Sequence, residues 1–212
     1  MIIHIEPYQV TFNAIEKRLT EMGKKDAMND VLKKAVNEVA KLARERLYEE
    51  TTERYTITSD VFTQKDIKKR ADNKGQTPSV KITLKGPPVG IRKGYATRAN
   101  SGRQPAGVSV VRKSGLRDLQ FPSGRRVYKG FVAKMNEGHE GIFQRVPGEH
   151  MKNSKNREKI KEIHSLSRAK AAAIAFAESG LSRELQSELA YSMHKHMNAA
   201  IDGRQRRRRR KK

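Results

Sequence analysis

The sequence contains no cysteine and no tryptophan. Disulfides, thiolate nucleophiles and cysteine-ligated zinc or iron–sulfur centres are therefore excluded. Hydrophobic residues make up 35% and aromatic residues 6% of the 212 positions, which predicts a modest core. Chains of this kind often complete their burial in an oligomer. No apolar run approaches the ~20 residues that span a bilayer, so no membrane partner is expected. The opening residues, MIIHIEPYQV, lack the basic and apolar regions of a secretory signal, and a soluble product of a cytoplasm is expected. Acidic residues are few beside basic ones, 23 against 46, for a formal net charge of +23.

The basic excess is densest at residues 204–212, RQRRRRRKK, where eight of nine positions are Lys or Arg. A block of like charges cannot bury itself, so a solvated, disordered arm is predicted. Its natural partner is a polyanion, because each cation that reaches a phosphate releases condensed counterions. A solubilising tail or a targeting signal is the plainer alternative. Removing these eight charges from +23 still leaves +15, so the body is basic too.

Periodicity organises that body. A short edge strand or extended arm is predicted over residues 1–10, where Pro7 interrupts, and a short helix over 12–22 ends near Gly23. Residues 26–50 give a long helix with two adjacent apolar stripes, Met28, Leu32, Ala35, Val39 and Leu42 beside Val36, Ala40, Ala43 and Leu47. Residues 55–145 read as β-rich. Strands are predicted at 55–58, at 80–84 with clean alternation, at 108–112, at 127–135 and at 142–145, the last two forming a hairpin around the turn at 136–141. Residues 90–107 read as a long mobile loop, 114–124 as a turn region, and 147–160 as polar and irregular. Residues 167–178 are Ala-rich and helical, and Gly180 breaks them. Leu181, Leu185, Leu189, Met193, Met197 and Ile201 then recur every four residues along an amphipathic helix, with Ser182 as N-cap and Gly203 as its stop.

No constellation of catalytic groups emerges, so no catalytic residue, metal or cofactor is assigned and the chain reads as non-enzymatic. His194 and His196 stand two apart on a helix and cannot share a metal; they read as solvated. His139, beside two carboxylates, reads as a satisfied turn residue. Residues 86–94 lack the spacing of a phosphate-cradling loop. What remains is sequence-independent nucleic-acid binding, assigned to Arg204, Arg206, Arg207, Arg208, Arg209, Arg210, Lys211 and Lys212, and to Arg92, Lys93, Arg98 and Arg103 in the long loop.

One stretch is recognisable. Residues 130–146, GFVAKMNEGHEGIFQRV, present an aromatic strand, a Gly-His-Glu-Gly turn and a Phe-x-Arg strand. They resemble the phage minor tail protein Z family, the tail-completion proteins of long-tailed phages. Residues 159–163, KIKEI, stand where that family carries a Pro-Ile-x-Glu-Leu-like stretch, without its proline. The Ala/Val-rich helix ending in Arg44, Glu45 and Arg46, followed by Arg54, Tyr55, Thr56 and Ile57, also fits, and the order of elements matches over most of residues 26–200. The basic arm lies outside the pattern, so no role for it is inherited. The resemblance implies a virion structural protein at the head-proximal end of a phage tail, found in the host cytoplasm during assembly. A homo-oligomeric ring, with a hexamer favoured, would neighbour tail-terminator and head-tail connector proteins and meet the tape-measure protein or the genome DNA end. The expected fold is α+β, an antiparallel β-sheet flanked by long amphipathic helices with extended loops, in a single domain over 1–203 with the arm at 204–212. A stand-alone basic nucleic-acid-binding protein is the alternative.

Overall fold

The computed structural model describes residues 1–72, 79–135, 138–152 and 154–209. In chain order these form β1 (Ile2–Ile5), α1 (Gln9–Glu21), α2 (Met28–Arg54), β2 (Lys68–Asp72), β3 (Ser79–Thr83), α3 (Ile91–Gly94), β4 (Ala96–Arg98) and β5 (Gly107–Ser109). There follow β6 (Arg117–Asp118), β7 (Gln120–Ser123), β8 (Arg126–Lys129), β9 (Phe131–Lys134), β10 (Glu140–Met151), β11 (Ser154–Glu162), α4 (Arg168–Glu178) and α5 (Leu181–Arg209). The fold is α+β, and the strand pairings are antiparallel. The chain packs as two compact units, Met1–Glu49 with Gln64–Leu84 and Ala173–Lys212, and Glu50–Thr63 with Lys85–Ala172.

The first unit is a three-stranded sheet, ordered β1-β3-β2, with three long helices. The alternation in β3 sends Val80 and Ile82 to the same side as Ile3 and Ile5 of β1, and all four are buried. On α2 both predicted stripes are buried except Leu42, which is half-buried. On α5 the four-residue ladder is buried from Leu181 to Met197, and Ile201 is half-buried. Helix α1 buries Ile15 and Leu19, one turn apart. It ends where Gly23 turns into the left-handed region at φ 64°, while Lys24 N–H bonds Leu19 O and Gly23 N–H bonds Thr20 O. This is the paired closure that glycine makes at a helix C-terminus.

Three expectations about α4 and α5 are settled locally. Gly180, at φ 72°, does separate the helices. The cap is not Ser182, which lies in the first turn of α5; the Ser179 hydroxyl instead accepts from Leu181 N–H at 3.3 Å. Nor does Gly203 stop α5, whose backbone runs on to Arg209. A single glycine costs a helix about 1 kcal/mol, and the Arg-rich residues after it are good helix formers at the end where cations suit the dipole.

The second unit is built from short antiparallel sheets ordered β4-β5-β6, β7-β8 and β11-β10-β9. Its core includes Phe62, Tyr95, Ala106, Ile142 and Phe143. Tyr95 is anchored by its hydroxyl, which donates to Leu166 O at 2.8 Å. Five sequence expectations change here. Residues 114–124, read as a turn region, carry β6 and β7. Residues 55–58 contribute only a bridge from Tyr55 to Val111, and Thr56 N–H bonds Val110 O. The strand expected at 108–112 ends at Ser109, and Arg112 begins a 3₁₀ turn. The strand expected at 127–135 is two strands in different sheets, separated at Gly130. Residues 147–160 are not irregular, because most lie on β10 and β11. Their polar character reflects a ribbon whose described side chains are mostly exposed.

Candidate functional site

The motif at residues 130–146 occupies β9, the following turn and the first half of β10. Asn136 and Glu137 of the turn lie outside the described residues. The hairpin is in register, with Phe131 opposite Phe143 and Ala133 opposite Gly141. Glycine permits a close approach at two positions of this segment, most tightly at Gly130. A Cβ on Gly130 would stand 2.8 Å from Leu119 Cβ, and the Gly130 backbone bonds Leu119 O and Ala106 N–H. A Cβ on Gly141 would stand 2.9 Å from Glu162 Oε1 and 3.0 Å from the Phe143 ring.

Glu162, on the far strand β11, is the centre of the arrangement. Its Oε2 lies 3.0 Å from His139 Nε2 and 3.9 Å from His164 Nε2, and its other oxygen packs over the bare Cα positions of Gly90 and Gly141. The His139 ring stands edge-on to Phe143, with centroids 6.4 Å apart. The carboxylate thus ties turn, strand and following loop together through a motif histidine. Glu140, next to His139, takes Arg92 at 2.5 Å. Among the described residues no group of three or more His, Asp or Glu is placed to hold a metal ion.

The cations assigned from sequence separate into three groups. Residues 90–107, read as a long mobile loop, are instead α3, β4, a tight turn at Ser101 and Gln104, and the approach to β5. Two of its cations are engaged by acids on neighbouring strands, Arg92 by Glu140 and Arg98 by Asp118. Their fields are locally compensated, and each braces a strand. Lys93 and Arg103 are exposed. Arg204, Arg206, Arg207, Arg208 and Arg209 continue the backbone of α5, whereas Arg210, Lys211 and Lys212 lie outside the described residues.

The base of that helical end is clamped. The Lys24 ammonium donates to Ala200 O at 2.5 Å and Ile201 O at 2.8 Å, just before Gly203. Further back, Glu38 of α2 accepts from the Ser192 hydroxyl at 2.7 Å and the Lys195 ammonium at 2.6 Å, and His196 Nε2 is 2.9 Å away. Lys195 first, then Ser192, hold the Glu38 carboxyl down to a pKa of about 2. His196 is therefore an engaged histidine and not the solvated one expected. These contacts fix the direction in which the basic end leaves its unit.

The sequence reading missed Lys68, Lys69 and Arg70 on β2, because KKRAD offers no apolar alternation to mark a strand. The run of three consecutive cations was the available signal. No family model matches the chain, and no curated protein or solved structure shows significant similarity to it.

Proposed function

We propose that the protein is a structural virion protein, a tail-completion protein of the minor tail protein Z kind, at the head-proximal end of a phage tail. The observation that carries this reading is the structural role taken by Gly130, His139, Gly141, Phe143 and Arg145 of the motif. Gly130 admits Leu119, His139 and Gly141 hold Glu162, Phe143 is buried, and the Arg145 guanidinium lies 5.8 Å from the centre of the Phe131 ring. A motif that encodes shape in this way supports a building block of an assembly.

The hairpin of β10 and β11 supports the same reading. Among the described residues Glu140–Phe143 of β10 pair with β9, whereas β10 and β11 extend beyond β9 to Met151 and Ser154. Extra residues between Arg145 and His150 bulge the ribbon. Such a ribbon offers open backbone edges and polar side chains to a neighbouring subunit. Identical chains in head-to-tail contact terminate by closing a ring, and six copies is the number a tail tube favours. The ring would sit between tail-terminator and head-tail connector proteins and admit the genome DNA end or the tape-measure protein. Six copies would bring about 48 cations from residues 204–212, eight each, to one opening.

Particle images viewed along the tail axis, together with the mass of the purified protein, test the proposal. A closed ring at the head-proximal end of particles supports it, and removal of the hairpin tip should leave a folded chain that no longer closes. A protein absent from particles, monomeric at every concentration and binding RNA or DNA at nanomolar levels would refute it in favour of the stand-alone nucleic-acid-binding alternative.

A further inference from the structure

β2 is an edge strand of its sheet and reads KKRAD. Period two sends Lys68 and Arg70 to one face and Lys69 to the other. The registers set Arg70 beside Lys81 and Lys81 beside His4, one row across three strands, and set Lys68 beside Thr83 and Thr83 beside Ile2 in another. Lys68, Arg70 and His4 on this face are exposed and Ile2 is 57% exposed, Lys81 and Thr83 are half-buried, and the register ends the face at Asp72 beside the buried Ser79, while Ile3, Ile5, Val80 and Ile82 behind it are buried. Strands about 4.8 Å apart, with alternate residues about 6.6 Å apart along each, hold Lys68, Arg70 and Lys81 in one patch about a nanometre across. Among the described residues none of these three takes part in a salt bridge.

The other side of the β2 edge is also cationic. Burial, then the charges of Arg44 and Lys41 on α2, push the Lys69 ammonium below its usual pKa, opposed by Glu45. Arg44 Nε is buried without a hydrogen-bond partner. Positive charge here is crowded and incompletely compensated, which is the condition an anionic partner relieves.

We infer that the β2 edge and the open face of this sheet form a second binding surface for the phosphate backbone of duplex DNA, independent of base sequence. The open face has no Phe, Tyr or Trp on which bases could stack, so it suits phosphate contact and not single-strand stacking. Duplex DNA carries about one charge per 1.7 Å and returns counterions for each contact. The same unit carries α5 and its basic end. An acidic protein surface is the competing occupant.

The test is the salt dependence of binding of the full chain to a random-sequence 20-base-pair duplex. Lys68→Gln, Arg70→Gln and Lys81→Gln together should lower the log–log salt slope by about 2.7, at roughly 0.9 per phosphate contact, with an unchanged thermal melt. If the triple variant melts early, Arg70→Glu replaces it and should weaken binding at least tenfold. A chain truncated before Arg204 should still bind duplex with a residual slope that the triple variant removes. An unchanged slope and affinity in the folded triple variant overturns the inference and leaves the face to an acidic protein. Because binding is read on the purified chain, and ring closure is read from its mass, this inference and the tail-completion reading fail separately.

Discussion

Glu38→Gln probes the contact that fixes α5 against α2. The carboxylate accepts from Ser192 and Lys195 and lies against His196, and its pKa falls from 4.5 to about 2. Taken at face value, a shift of that size corresponds to about 3.4 kcal/mol of differential stabilisation of the ionised form. The Glu38 side chain is 45% exposed, however, so solvent screens most of it. An exposed ion pair at about 0.5 kcal/mol and one solvent-screened hydrogen bond, worth no more than an ordinary one at about 1 kcal/mol, give an expected loss near 1.5 kcal/mol. For a chain of this size that lowers Tm by about 3–6 °C. The pH dependence has a fixed sign. A carboxylate whose folded pKa is depressed stabilises the fold above its unfolded value near 4.5, and the contribution is lost as pH falls from 4.5 towards 2. Thermal melts followed by circular dichroism at pH 7, 4 and 2.5 should therefore show the two proteins converging as acid is added. A Tm difference as large at pH 2.5 as at pH 7, or none at pH 7, refutes the assignment of Glu38 as an ionised clamp.

Other positions give sharper structural readouts. Gly130→Ala drives a Cβ to 2.8 Å from Leu119 Cβ and should cost about 1–3 kcal/mol by overpacking, read as an earlier denaturation midpoint. Leu189→Ala, at a fully buried position of the α5 ladder, should cost about 2–5 kcal/mol in the same assay. Lys24→Met removes the donor to Ala200 O and Ile201 O, and should speed amide exchange in the last turns of α5 while leaving that of β3 unchanged.

The sequence made the first unit legible because its pattern is strong. The stripes on α2, the four-residue ladder on α5 and the alternation of β3 each encode burial directly, and all but Leu42 and Ile201, which are half-buried, are buried. The failures share a cause as well. β2 has Ala71 as its sole apolar residue, and β10 and β11 run through VPGEHM and SKNREKIKE, so strands held by backbone pairing with little one-sided burial leave no periodic trace. Residues 127–135 read as one strand because β-forming residues stand on both sides of Gly130; the approach of Leu119 reveals that the chain changes partner there. The Gly138–Gly141 turn was visible as a turn, but its partner Glu162 lies more than twenty residues on, and a contact at that distance is not written in local spacing. Similarly, nothing near Arg92 or Arg98 announces Glu140 or Asp118.

The continuation of α5 to Arg209 changes what the basic end is as a mechanical object. An extended chain would reach about 3.3 Å per residue, whereas a helix advances 1.5 Å, so the end is a short stiff rod and not a long tether. Its line charge then approaches one cation per 1.5 Å, close in magnitude to the one anion per ~1.7 Å of duplex DNA. Like charges three and four residues apart repel within such a rod, so its helicity is held in balance with its surroundings. Salt or a polyanion laid against it would tighten the coil, and withdrawal of either would fray it back towards Gly203. A measurement of helix content against added DNA therefore tests whether this end takes part in the proposed binding, its own repulsion serving as the gauge.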